Sequence, residues 1–84
     1  MDNDMDDKLA WHIIRVSFRT ARELQDLLSL LKEQCSPEEY RDYVAGIARA
    51  IDAINDALMN KAIASHPHLT ERIEADLAEF GRVL

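Results

Sequence analysis

"CSPEEY", Cys35–Tyr40, decides how this chain is laid out. Ser36 carries the hydroxyl of a helix N-cap, Pro37 fits the first helical position, and Glu39 completes a capping box. The stretch therefore closes one helix and opens another within a few residues. It is the most specific local signal in the sequence, and both flanks are read outward from it.

Downstream, the spacing predicts a helix over about 37–64. Tyr40, Val44, Ile47, Ile51, Ile54 and Leu58 recur at intervals of four and three, the pattern of a helix packed along its length against another. One flank is small: Gly46, Ala50, Ala53 and Ala57. Small side chains admit a second backbone closely, but alanine is also simply a good helix former. Pro67, in "SHPHLT", ends this helix, because proline clashes in a helix interior and disfavours helical geometry at His66. A third helix is expected over about 67–80, starting at Pro67 or Leu69, with Leu69, Ile73, Leu77 and Phe80 on one face and Gly81 as its C-cap.

Upstream, a helix is expected over about 7–34, started by Asp6 or Asp7. A projection at about 100° per residue gathers Leu9, Ile13, Val16, Thr20, Leu24, Leu27 and Leu31 on one face. Ala10, Ile14, Ser17, Ala21 and Leu28 lie beside them. That arc is broader than one seam needs, which predicts two neighbours.

The short turn implies an antiparallel hairpin, in which facing residue numbers sum to about 71. Leu31 then meets Tyr40, Leu27 meets Val44, Leu24 meets Ile47, and Ile13 meets Leu58. Each long helix is about 40 Å and the third about 20 Å at the usual rise per residue. The third helix reaches Trp11, Ile14, Phe18 and Leu58 but leaves the turn end uncovered. An uncovered apolar patch marks an interaction site. The expected fold is all-α: a long antiparallel hairpin plus a shorter C-terminal helix, dimerising into a four-helix-bundle-like core. The dimer surface is expected at Leu24, Leu27, Leu28, Leu31, Tyr40, Tyr43, Val44 and Ile47. A monomeric three-helix bundle is the alternative.

Composition agrees with this layout. Eighty-four residues make one domain, and a chain of that size buries only about 60% of its unfolded surface, which favours a partner subunit. Two glycines and two prolines are too few for an all-β fold or a phosphate-cradling loop. The one cysteine, Cys35, excludes an intrachain disulfide and suits a reducing compartment. The net charge is −6, and Asp2, Asp4, Asp6 and Asp7 place much of it in the acidic N-terminal segment. That segment is the reverse of a basic signal-peptide start, and no apolar run approaches the roughly 20 residues that span a bilayer. A soluble, cytoplasmic protein is expected.

Few residues suggest chemistry. His66 and His68, with His12 nearby if the third helix folds back, are metal-ligand types. A structural zinc site needs four ligands, and Cys35 lies at the opposite end of the hairpin, so no metal or cofactor is expected. Arg15, Arg19 and Arg22 form an outer stripe bordered by Trp11 and Phe18. Such a face can hold phosphates and stack bases, or receive an acidic protein; the plainer reading is a solvated arginine face with both aromatics packed under the third helix. Asp42, Asp52 and Asp56 make the outer face of the second helix acidic, and the opposed signs could steer two molecules together. Asn55 flanks the seam and could fix register; Ser17 and Thr20 suit local bonds to backbone carbonyls. "LLSLL", Leu27–Leu31, matches an L-x-x-L-L pattern that carries no information in a leucine-rich helix. No nucleophile–base arrangement or phosphate loop supports catalysis. The expected function is a homodimeric interaction or regulatory module that binds itself and another protein. A nucleic-acid-associated protein using the arginine face is the alternative.

Overall fold

The computed structural model describes residues 6–84. It contains α1 (Asp7–Gln34), α2 (Pro37–Ile54), a π-helical turn (Asn55–Met59), α3 (Asn60–Ser65) and α4 (Leu69–Phe80). The segments from Pro37 to Ser65 follow one another without a break, so three helical rods result. There is no strand among the described residues.

Each rod end has a local cause. The Asp6 carboxylate caps α1 by accepting from Leu9 N–H at 2.9 Å. Cys35, in extended backbone, closes it. One residue later the capping box opens α2. Ser36 N–H donates to Glu39 Oε1 at 2.9 Å, and Glu39 N–H donates to Ser36 Oγ at 3.2 Å. α4 begins at Leu69, the later of the two expected starts, after a tight turn in which Leu69 N–H donates to His66 O. It ends at Gly81, whose left-handed φ of 73° suits glycine and whose N–H donates to Leu77 O.

α1 lies against α2, the π turn and α3 in succession. The core joins Ala10, Trp11 and Ile14 of α1 to Ala62 of α3, Leu69 and Ile73 of α4, and Val83 of the tail. The start of α1 thus meets the far end of the second rod, and the chain reverses direction at Cys35–Ser36.

Three details differ from the sequence expectation. Leu58, expected opposite Ile13, is 42% exposed, and Met59 packs on the core in its place. The π turn explains the exchange. Its extra residue rotates all that follows by about one helical position, bringing Met59, Ala62 and Ile63 inward. The sealed face of α1 runs through Ala10, Ile14 and Ser17, whereas Leu9 is exposed, because α4 packs on the flank of the projected arc. On α4, Leu69 and Ile73 are buried but Leu77 and Phe80 are open. Val83 closes the core instead, after Gly81 turns the chain.

The radius of gyration is 15.5 Å and the extents are 52 × 31 × 13 Å. A compact chain of this length has a radius near 12 Å. The rods are spread out, and only one end is closed. No helix among the described residues is long and apolar enough to cross a membrane.

Candidate functional site

At the turn end, no third rod covers the pair α1–α2. Leu27 is 41% exposed, Leu30 52% and Tyr43 53%. Leu24, Leu28, Leu31, Tyr40 and Val44 are half-buried beside them, while Ile47 is buried and marks the inner limit of the patch. Leu30 lies off the face projected for α1 and escaped that reading. The patch stays open because α4 has 12 residues and is tethered just after Ser65, at the other end.

The arginine face is less uniform than its spacing suggests. Arg19 is exposed, and Arg22 is half-buried. Arg15 is half-buried too, with its Nε sealed from solvent and without a hydrogen-bond partner. Trp11 belongs to the core, and the Arg72 guanidinium sits 4.2 Å from its ring centroid. Phe18 packs on the same core. Neither ring is an open stacking platform beside the arginines.

The histidines are engaged with Asp7. His68 Nε2 lies 2.9 Å from Asp7 Oδ2, and His66 Nε2 lies 3.6 Å from Oδ1. The two carboxylate oxygens thus tie the start of α1 to the α3–α4 turn. Ser65 Oγ lies 2.9 Å from His66 Nδ1. Among the described residues, no group of three or more His, Cys, Asp or Glu side chains is arranged to hold a metal ion. Cys35 is a half-buried free thiol at the end of α1. Ser17 Oγ donates to Ile13 O at 2.8 Å, the local bond its position suggested. Among the described residues, no helix packs closely on the small flank of the second rod. Ala50, Ala53 and Ala57 are exposed, and only the Arg49 side chain comes within 4 Å of a Cβ built on Gly46.

One feature was not legible from spacing. A cleft of about 360 Å³ opens between α1, the π turn and the C-terminal tail. Phe18, Ala21 and Arg22 form one wall, Ile51, Asn55 and Met59 the second. Leu77, Arg82 and Val83 contribute the third. Gln25 and Ser17 complete the lining on the α1 side, and no lining residue is acidic.

No family model matches this chain, and comparison with curated proteins and with solved structures likewise returns no match.

Proposed function

We propose that the chain is a homodimeric interaction module, without catalytic activity, that associates through the turn end of α1–α2. One observation carries this reading: Leu27, Leu30 and Tyr43 stand open, with half-buried Leu24, Leu28, Leu31, Tyr40 and Val44 around them, where no third rod reaches. Large apolar side chains left open on adjoining helices mark an interaction site. A second copy laid on it would complete a four-helix core of the usual packing type. The outer faces of the pair then remain for another protein. Cys35, the one thiol, suits a cytoplasmic, reducing setting. The nucleic-acid alternative has less support, since Arg72 covers the Trp11 ring that would stack on bases.

The test is the solution mass by light scattering on a sizing column, for wild type, Leu27→Glu and Leu30→Glu. A wild-type dimer and helical, monomeric variants are expected. A wild-type monomer across the micromolar range overturns the proposal, as does a Leu30→Glu protein that stays dimeric.

A further inference from the structure

We infer that the cleft between α1, the π turn and the tail is a binding site for a small organic carboxylate with an apolar body. The inference does not rest on the dimer.

The cleft is built by two irregularities of the backbone. The first is the π turn. In a regular helix, residues four apart drift by about 40° at each step, so Ile51, Asn55 and Met59 would fan away from one line. The wider turn over Asn55–Met59 absorbs that drift, and all three line the same wall. π turns inside helices occur frequently at functional sites. The second is the tail. Gly81 turns it in left-handed backbone, Val83 is anchored in the core, and Leu84 N–H donates to Asp76 Oδ2 at 3.2 Å. Arg82 is therefore placed at the cleft by fixed neighbours on both sides.

The lining selects the ligand. Phe18, Ile51, Met59, Leu77 and Val83 supply apolar surface for a body. Arg22 and Arg82 line the cleft from separate elements, so two positively charged side chains border it. Among the described residues, neither arginine forms a salt bridge, and no carboxylate lines the cleft to neutralise them. Guanidinium forks match carboxylates with charge-assisted hydrogen bonds. Gln25 and Asn55 add amides that can hydrogen-bond a polar head. The volume lies at the lower end of the range for small-molecule sites, about 300–1,000 Å³, which fits a medium-chain or aromatic carboxylate.

The probe is octanoate, titrated into isotope-labelled protein and followed by amide chemical shifts. Octanol is the uncharged control. Saturable shifts are expected at Ala21, Asn55, Gly81 and Val83, with octanol binding about tenfold more weakly. Arg22→Gln combined with Arg82→Gln is expected to weaken octanoate by about tenfold or more, while Arg19→Gln, outside the cleft, leaves it unchanged. Arg82 is exposed and Arg22 half-buried, and circular dichroism checks that the helices persist in the double variant. Three outcomes overturn the inference: no saturable shift with millimolar octanoate, equal binding of octanol, or equal weakening by Arg19→Gln. The readout is ligand occupancy of the cleft, so it succeeds or fails separately from the mass measurement.

Discussion

Where α1 begins, three rods converge, and Ala10 and Ile14 are sealed from water; where Ser36 starts α2, two rods meet alone and Leu27, Leu30 and Tyr43 stay open. The turn end has the stronger local signals: an N-cap, a proline at the first position and a reciprocal capping box. At the closed end Asp6 caps α1, but α4 starts without a side-chain cap. Local order and burial are thus separate sources of stability. A cap contributes about 1 kcal/mol, whereas burying one large aliphatic side chain contributes about 1.5–3 kcal/mol. The closed end should therefore dominate the stability of the single chain, and the turn end should be well shaped but energetically incomplete.

The largest effect is expected at Ile14. It is fully buried, so Ile14→Ala removes buried methyl groups and leaves a cavity, a loss of about 2–5 kcal/mol. That is a large share of the total stability of a small domain, about 5–15 kcal/mol. Leu30→Ala, measured in urea at concentrations that hold the protein monomeric, should change stability by only about 0.5 kcal/mol. A Leu30 loss approaching that of Ile14 would break the contrast between the ends. A Leu30 loss that grows with protein concentration would sharpen it, because a dimer interface couples stability to concentration.

A smaller effect tests the boundary between the two regions, the π turn. Met59 packs on the core while Leu58 is largely exposed. Met59→Ala should destabilise more than Leu58→Ala, by about 1–2 kcal/mol in thermal or urea unfolding. A regular helix through Asn55–Met59 would reverse that order, because Leu58 would then face Ile13. The comparison needs no structure of either variant, only their two unfolding curves.

The same pair of residues shows what could be read from the sequence and what could not. The capping box at Ser36–Glu39 was legible because its causes lie within four residues. The ends of α1 and the start of α2 follow from the same local chemistry. The spacing makes the second rod helical throughout and puts Ile47 on its apolar face, where it is buried. Beyond Asn55 the assignment slipped by one position, because a projection assumes a constant turn angle and "NDALM" carries no letter that announces a wider one. The breadth of the α1 arc did signal two neighbours. It could not say how far round α4 would reach: Leu9, expected inside, is exposed, whereas Trp11, within reach of the third helix and also a border of the arginine stripe, takes the first of those two places. Val83 and Arg82 lie beyond a helix stop, where periodicity has nothing to say. The cleft depends on both the π turn and that tail, so neither of its decisive walls was visible in the spacing of residues.

The smallest effect isolates the turn end by its charge. Glu39 accepts from the Ser36 backbone N–H, and bonding with the Ser36 side chain adds to this, so its carboxyl is held below the usual carboxylate range. A group with a lower folded-state pKa contributes stability above its unfolded pKa and loses that contribution as pH falls through the folded value. Glu39→Gln keeps an acceptor at the same place but removes the charge. The wild type should therefore be slightly more stable than Glu39→Gln at neutral pH, and the gap should close on acidification through the carboxylate range. Ser36→Ala removes the hydroxyl cap as well and should cost about 1 kcal/mol at neutral pH. The loss in Ile14→Ala has no such pH dependence, since methyl burial involves no proton. Unfolding curves for the Glu39 and Ile14 variants across pH thus separate a turn end held by local hydrogen bonds from a closed end held by burial. A Glu39→Gln gap that stays constant from neutral to acid pH would show that the charge of Glu39 contributes nothing, and that the cap acts through its neutral hydrogen bonds alone.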